Sequence, residues 1–275
     1  MPFFHNGEVE IYFEIGGEAV HSSPPLLFIS GTGADLRNKP NQFDSPLASV
    51  YRVVSLDQRG LGRTSKPDGD YSMRQYANDV LTLIDHLDIQ RLKVMGVSFG
   101  GMVAQEFAIR HPDRVEKLIL ACTSAGGRAG SSYPLDELER LNPRERAEKH
   151  LTLSDIRLNE QWQKENPEKW ESYVQRSLGA RRSDRDEVGA MKQLLARKNH
   201  DTYKRLAKIE CETLIAGGRY DGIAPPKNLV AMNEMIPRSE LRFYEGGHMF
   251  LIQDKSAYQE TVSYTHLTLP TSDLV

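Results

Sequence analysis

Ser98 is the residue whose setting points most directly to chemistry. It stands in Gly96-Val97-Ser98-Phe99-Gly100-Gly101, between an apolar stretch predicted to be a strand and a pattern predicted to be a helix. A serine at such a turn adopts strained backbone angles that lift its hydroxyl above the carboxyl edge of a sheet. The turn excludes side chains two residues away on either side, and Gly96 and Gly100 meet that need. We therefore predict that Ser98 is a nucleophile; the alternative is a glycine-rich turn with an incidental serine.

A serine hydroxyl needs a base within hydrogen-bond reach, and His248 is the predicted base. Of the eight histidines, it alone lies in a loop directly after a predicted sheet strand. Gly246 and Gly247 precede it and make that loop flexible. We interpret the histidines of helical or charged stretches as surface or packing residues; these include His86, His111, His150 and His200.

Asp221 is the predicted acid, which would orient the imidazole and stabilise its charged form. It follows a predicted strand that ends at Ala216, in a loop rich in glycine and proline. An aspartate before a glycine is often only a turn former, and this is the alternative. The competing position follows the strand that ends at Ala121, but that loop, Cys122-Thr123-Ser124, has no carboxylate. Asp221 is therefore selected by elimination.

The elements that must position these residues alternate between short apolar strands and helical patterns. This alternation favours the α/β class, with a mostly parallel central sheet flanked by helices. The predicted strands are Val9–Ile15, Leu26–Ile29, Arg52–Leu56, Leu92–Val97, Lys117–Ala121, Glu212–Ala216 and Glu240–Tyr244. The predicted helices are Met73–Leu87, Gly101–Arg110, Lys227–Ile236 and one that begins near Asp254.

A highly charged segment with helical patterns and almost no strand signal interrupts the alternation. We predict a core of residues 1–125 and 209–262 with a helical insertion of residues 126–208. The insertion contains Trp162 and Trp170. These side chains either line an acyl pocket or, as is more common, pack the insertion against the core. Residues 263–275 are rich in threonine and break the helical spacing, so we predict that they are foreign to the fold. A genuine edge strand is the alternative.

Composition argues against several classes of protein. Of the 275 residues, 39% are hydrophobic and 27% are charged, and no apolar run approaches the ~20 residues of a membrane helix. The net charge of −3 argues against nucleic acid as a partner. Neither a signal-peptide pattern nor a disulfide framework is evident, so we expect a cytoplasmic protein with no membrane partner. Without a metal-spaced His/Cys cluster or a phosphate-binding glycine loop, we expect no cofactor.

Together these residues make the chain resemble the α/β-hydrolase superfamily, over nearly all of Val9 to Tyr258 apart from the insertion. The chain order Ser98, Asp221, His248 matches the order of that architecture. A fourth motif, Asp57-Gln58-Arg59-Gly60-Leu61-Gly62-Arg63-Thr64-Ser65, is similar to the D-x-R-G-x-G-x-S turn of these enzymes, where its role is structural. The resemblance implies an α/β-hydrolase fold in which the insertion is a helical cap over the site.

The resemblance also implies an oxyanion hole. The family's hole begins with His-Gly after an early strand, and here the matching segment is Ile29-Ser30-Gly31-Thr32-Gly33-Ala34-Asp35. Ser30 replaces the family's histidine, but the hole uses backbone N–H groups, so the side chain is not essential. By position, Thr32 and Phe99 are expected to supply the two donors.

Within the superfamily the chain is similar to small bacterial esterases and to 3-oxoadipate enol-lactone hydrolases. We therefore expect a serine hydrolase that cleaves carboxylic esters of small to medium acyl chain through an acyl-enzyme. A lactone hydrolase, a cofactor-free perhydrolase or a carbon–carbon bond hydrolase would use the same three residues. A non-enzymatic small-molecule receptor is a further alternative. A serine nucleophile disfavours haloalkane dehalogenase and epoxide hydrolase chemistry, which needs an aspartate there.

Overall fold

The central feature of the fold is a sheet of eight strands. A computed structural model describes residues 2–17, 24–180 and 184–266. The strands are β1 (Phe3–Asn6), β2 (Val9–Gly16), β3 (Leu26–Ile29), β4 (Val53–Leu56), β5 (Leu92–Val97), β6 (Val115–Ala121), β7 (Glu212–Gly218) and β8 (Ser239–Tyr244). They are ordered β1-β2-β4-β3-β5-β6-β7-β8. The β1–β2 and β2–β4 pairs are antiparallel, and all other pairs are parallel.

Helices cover both faces of this sheet. They are α1 (Met73–His86), α2 (Phe99–Arg110), α3 (Pro143–Ser154), α4 (Glu160–Glu165), α5 (Pro167–Ala180), α6 (Glu187–Lys198), α7 (Pro226–Met235), α8 (Phe250–Gln253) and α9 (Lys255–His266). In β3, Leu27 and Ile29 join a core cluster with residues of α1, α2 and α7, whereas Leu26 and Phe28 join a second cluster with residues of α8 and α9. Successive side chains of a strand point to opposite faces, so the two clusters lie on opposite sides of the sheet.

The parallel strands end at one edge and thereby bring distant parts of the sequence together. Val97 at the end of β5 pairs with Ala121 of β6, which pairs with Ala216 of β7. Gly218 of β7 pairs in turn with Tyr244 of β8. Ser98 follows β5, Asp221 follows β7 and His248 follows β8. All three predicted site residues therefore lie at this edge.

The described residues between β6 and β7 form helices α3 to α6 and short 3₁₀ turns, with no strand among them. Ala125 O accepts a hydrogen bond from Thr202 N at 2.8 Å, so the beginning and end of this segment meet. Trp162 stacks on Tyr173 within the segment, with ring centroids 5.9 Å apart. The domain boundaries at residues 126 and 208 stay a prediction. No helix in the described part of the chain is long and apolar enough to cross a membrane.

Several elements differ from the sequence-based expectations, and helix α8 was not predicted. Strand β1 was not predicted, because four residues at a hairpin edge give too short a pattern. Helix α2 begins at Phe99 rather than Gly101. Helix α9 continues to His266, four residues past the predicted end, where the half-buried Tyr264 ring lies 5.3 Å from the Lys117 Nζ. The rest of the tail predicted to be foreign, residues 267–275, lies outside the described residues.

Candidate active site

Ser98 occupies a strained turn between β5 and α2. Its backbone angles are φ 54° and ψ −114°, a conformation that L-residues rarely adopt. Two hydrogen bonds hold the turn: Ser98 N–H donates to Ala121 O at 2.8 Å, and Thr123 Oγ1 donates to Ser98 O at 2.7 Å. The strain is therefore supported by the neighbouring strand β6 and the residues that follow it.

The glycines around Ser98 are required by close approach of backbone. A Cβ on Gly96 would collide with the carbonyl group of Gly100, and a Cβ on Gly100 would collide with the carbonyl of Ile29 in β3. The predicted need for glycine two residues before and after the serine thus has a physical cause in the structure. The absence of side chains at Gly96 and Gly100 lets α2 begin in direct contact with the ends of β3 and β5.

The structure brings Ser98, His248 and Asp221 into one hydrogen-bonded line. His248 Nε2 lies 3.0 Å from Ser98 Oγ, and His248 Nδ1 lies 2.7 Å from Asp221 Oδ2. Ser98 is 7% exposed and Asp221 is 2% exposed. With Asp221 accepting from Nδ1–H, Nε2 is left as the nitrogen that can take a proton from the serine.

The Asp221 carboxylate is fixed by the backbone that follows it. Its Oδ1 accepts hydrogen bonds from Ile223 N at 2.8 Å and from Ala224 N at 2.9 Å. These bonds hold one oxygen and leave Oδ2 directed at the imidazole. A simple turn former would make only the two bonds of Oδ1. The bond of Oδ2 with His248 is therefore not explained by that alternative.

The segment expected to form an oxyanion hole lies beside the serine. A Cβ placed on Gly31 would lie 3.5 Å from the Ser98 Cβ. Among the described residues, neither Thr32 N–H nor Phe99 N–H donates to a protein acceptor. Thr32 Oγ1 is also buried without a hydrogen-bond partner. Free donors at this point, with the positive end of α2 nearby, fit a site for developing negative charge.

Two contacts hold that segment in place. Gln58 Nε2 donates to Ser30 O at 2.9 Å, and Gly33 N donates to Gln193 Oε1 of α6 at 2.8 Å. Gln193 was not singled out by the sequence, because a glutamine within a charged helical pattern carries no signal of its tertiary contact.

The Asp57–Ser65 turn is structural, as its resemblance implies. The Asp57 carboxylate accepts from Leu36 N at 2.6 Å and from Arg63 N at 2.8 Å. Burial raises the pKa of Asp57, and these two backbone donors partly offset the effect. Arg59 makes a two-pronged pair with the buried Asp79 of α1, with both distances 2.6 Å. The turn therefore ties Leu36, which directly follows the Thr32 segment, to α1.

A cavity of about 600 Å³ extends from the Thr32 segment into the helices between β6 and β7. Its apolar wall includes Leu135, Leu138 and Leu194, and its rim carries the ion pair of Arg146 with Glu139 at 3.1 Å. Ser98 does not itself line this cavity, which reaches the site through Thr32. Neither Trp162 nor Trp170 is in its wall, and the Trp162 ring packs on Tyr173 within the insertion.

His150 of α3 is a cavity residue that sequence reasoning assigned to the surface or to packing. Its ring opens into the cavity, and its Nδ1 lies 3.4 Å from Ser154 Oγ. The protein atoms around the ring and the neighbouring His248 lower the pKa of His150 from its ordinary value. His150 is exposed, as expected of a surface residue, and it also lines the cavity, which a helical pattern alone does not predict.

Comparisons with known proteins agree with this geometry. Residues 24–255 match the family described as the alpha/beta hydrolase fold. A poly(3-hydroxyalkanoate) depolymerase of Ectopseudomonas oleovorans is 30% identical over 229 residues, which cover 83% of this chain and 79% of that protein. 3-Oxoadipate enol-lactonase 2 of Acinetobacter baylyi is 34% identical over 131 residues, 46% of this chain and 48% of that protein.

The structural comparison gives the same fold. The crystal structure of the enol-lactonase from Burkholderia xenovorans superimposes with a TM-score of 0.77, covering 96% of this chain and 99% of the other at 23% identity. This level of identity bears on the fold alone. The family match covers most of the chain, and the sheet order, the serine turn and the flanking helices agree with it. The chain belongs to the α/β hydrolase family.

Proposed function

We propose that the protein is a carboxylic ester hydrolase in which Ser98 is the nucleophile, His248 the base and Asp221 the acid. The observation that carries the proposal is the hydrogen-bonded line from Asp221 through His248 to Ser98, with distances of 2.7 and 3.0 Å. A serine becomes a useful nucleophile at neutral pH when such a base lies within this reach.

The proposed reaction proceeds in two halves. Ser98 Oγ attacks the ester carbonyl while His248 Nε2 takes its proton, and the charge on the imidazole is balanced by Asp221. Thr32 N–H and Phe99 N–H would stabilise the oxyanion. His248 then protonates the leaving alcohol, which departs and leaves an acyl group on Ser98. A water molecule, deprotonated by the same imidazole, releases the acid and restores the serine.

The proposed substrate is a carboxylic ester with an acyl chain of small to medium length. A volume of about 600 Å³ is typical of small-molecule sites, and its leucine wall suits a short alkyl chain. The name of the Ectopseudomonas relative indicates a polyester substrate, which supports ester chemistry here as well. We propose a cytoplasmic enzyme that needs neither a cofactor, a nucleic acid nor a membrane as partner.

Lactone hydrolysis is the second candidate, and it is favoured by the enol-lactonase of Acinetobacter baylyi, similar over about half of its length. A lactone is a cyclic ester, so the same residues would act in the same order. The alcohol would then stay attached to the acyl group after the first half of the reaction. The choice between the two candidates rests on the shape of the cavity rather than on the three catalytic residues.

A panel of substrates tests these proposals. p-Nitrophenyl esters from acetate to palmitate are assayed beside simple lactones, with Ser98→Ala as the blank. We expect the highest kcat/KM for chains of about four carbons or fewer, a length that the cavity accommodates. Preference for a lactone would promote the second candidate, and palmitate as the best substrate would contradict both.

Absence of any Ser98-dependent turnover would instead favour the receptor alternative. Formation of peroxyacid from acetate and hydrogen peroxide, faster than ester hydrolysis, would favour a perhydrolase.

A further inference from the structure

The turn that leaves helix α3, Leu153–Arg157, is wedged between the two loops that carry the acid and the base. We call it the α3 exit turn. On the acid side, Gly222 N donates to Leu153 O at 2.9 Å, and Ile156 N donates to Tyr220 O at 3.0 Å. The residues immediately before and after Asp221 are therefore both hydrogen-bonded to this turn.

The base is tied to the same turn directly. The backbone N–H of His248 donates to Ser154 O at 2.6 Å. Within the described part of the chain this N–H donates to no other acceptor, and Ser154 O lies outside the sheet. The distance of the imidazole from the sheet edge therefore depends on the position of the α3 exit turn.

Glycines allow this close approach. A Cβ on Gly247 would collide with Ser154 O, and a Cβ on Gly222 would come within 2.7 Å of Leu153 O. Contacts below 3 Å are closer than real Cβ atoms tolerate, so side chains at these two positions would push the turn away. The glycines that sequence reasoning took as a source of flexibility near His248 have a packing role as well.

The Asp155 carboxylate locks the turn in place. Asp155 is 5% exposed, and its Oδ2 accepts from Arg157 Nη2 at 2.6 Å and from Gln253 Nε2 at 3.2 Å. The other end of the Gln253 amide accepts from Gly247 N at 2.8 Å. A chain of hydrogen bonds thus runs from Asp155 through Gln253 to the residue before His248.

Arg157 completes the arrangement on the acid side. Its Nε donates to Asp155 Oδ1 at 2.9 Å, and its guanidinium lies 4.3 Å from the centre of the Tyr220 ring. Asp155 is therefore connected to the base loop through Gln253 and to the acid loop through Arg157.

We propose that Asp155 is a positioning residue, which sets the alignment of His248 with Ser98 and Asp221 by fixing the α3 exit turn between their loops. The proposal rests on the ester hydrolase function proposed above. It makes the inserted helices a part of the catalytic framework as well as a cover. If the α3 exit turn is displaced, the His248 N–H loses its acceptor. Tyr220 and Gly222, on either side of Asp221, lose their hydrogen bonds to the turn as well.

Burst kinetics with p-nitrophenyl acetate test this role in Asp155→Ala. The burst amplitude counts competent sites, and the burst rate reports acylation at each of them. A misplacement of the base of the order of 1 Å lowers the rate by about 10²-fold. We expect the acylation rate per titrated site to fall about 10- to 100-fold, with the Kd of the ester before acylation changed less than about twofold. Asp155→Asn, whose amide oxygen still accepts from Arg157, should recover part of the rate.

Asp136→Ala is the matched control. Asp136 is also a mostly buried, ion-paired carboxylate of the insertion, 2.9 Å from Lys198 Nζ, and its hydrogen bond goes to neither loop. Its acylation rate should stay within about twofold of wild type. If Asp155→Ala does not fold, Gln253→Ala cuts the same connection more gently and should show the same loss of rate, to a smaller extent.

The outcomes separate this proposal from the one on which it rests. A normal acylation rate per site in Asp155→Ala, with only the burst amplitude or the melting temperature lowered, would reduce Asp155 to a structural role. A wild-type protein without a Ser98-dependent burst would refute the ester hydrolase proposal itself, and the positioning role would fall with it.

Discussion

Asp221, His248 and Ser98 are recognisable in the sequence because each follows a strand of the parallel part of the sheet. Parallel strands end at one edge, so residues just beyond them meet even when they are far apart in the chain. The elimination that selected Asp221 also has a physical basis. The position after β6 is filled by Cys122, a buried thiol whose pKa is raised well above its usual value by burial and by the nearby Asp221 carboxylate.

Other residues of the site were beyond the reach of the sequence. Asp155, Gln193 and His150 lie in or beside helices of the insertion, where a charged pattern does not fix which side faces the sheet. Their contacts depend on how the insertion sits on the core. A motif identifies residues whose neighbours are local, whereas the hydrogen bonds of Asp155 with Gln253 and of Gln193 with Gly33 join residues far apart in the sequence.

The residue scale carries a prediction for Asp221→Asn. An amide in place of the carboxylate holds the imidazole in the wrong tautomer, so kcat for p-nitrophenyl acetate should fall by about 10⁴-fold if Asp221 is the acid. The control is Glu245→Gln, an exposed carboxylate three residues before His248, which should keep kcat within about twofold. Near-normal activity of Asp221→Asn would mean that another carboxylate is the acid.

At the scale of elements, the strand–turn–helix unit of β5 and α2 was predicted closely, because the signals that identify it are local in the sequence. Alternation and glycine spacing are local signals, and the structure adds only that α2 starts two residues earlier. The end of α9 was misjudged for the opposite reason. Its last turn is held by the contact of Tyr264 with Lys117 of β6, a long-range interaction that no helical pattern contains.

Gly100→Ala should destabilise this unit strongly. The new Cβ would collide with the Ile29 carbonyl, and the free energy of unfolding should fall by about 3 kcal/mol or more, measured by urea denaturation. Gly179→Ala is the matched control, because its Cβ would meet nothing within 4 Å on the exposed side of α5. It should raise stability slightly, by up to about 1 kcal/mol. Equal effects of the two changes would contradict the packing of α2 against β3.

At the scale of the whole molecule, the fold class follows from the sequence because a parallel sheet needs alternating strands and helices. The seating of the insertion does not follow, since it depends on pairs such as Thr202 with Ala125 at its two ends. His200 lies at this junction and is 6% exposed. A Cβ on Gly126 would collide with its carbonyl group, so the two ends of the insertion are in direct contact there.

His200 gives the molecule a pH dependence of stability. Burial lowers its pKa to about 4, against about 6.5 in an unfolded chain, so the folded state binds the proton less readily. The contribution of His200 to the free energy of unfolding is therefore fully present above pH 6.5 and is lost as the pH drops towards 4. Between pH 7.5 and pH 5 this group accounts for a loss of about 2 kcal/mol.

Urea denaturation of wild type and of His200→Gln at the two pH values measures that loss. The difference between pH 7.5 and pH 5 should be about 2 kcal/mol smaller in the variant. An identical difference in both proteins would mean that His200 is not held neutral by the fold.

The central claim is that an acyl group is transferred to Ser98. Rapid mixing with p-nitrophenyl acetate, acid quenching and mass spectrometry of the digested protein locate that group. We predict a burst of p-nitrophenol close to one equivalent per protein, with the acetyl group on the peptide that contains Ser98 and none in Ser98→Ala. Acetylation at another residue during turnover, or undiminished turnover by Ser98→Ala, would contradict the account.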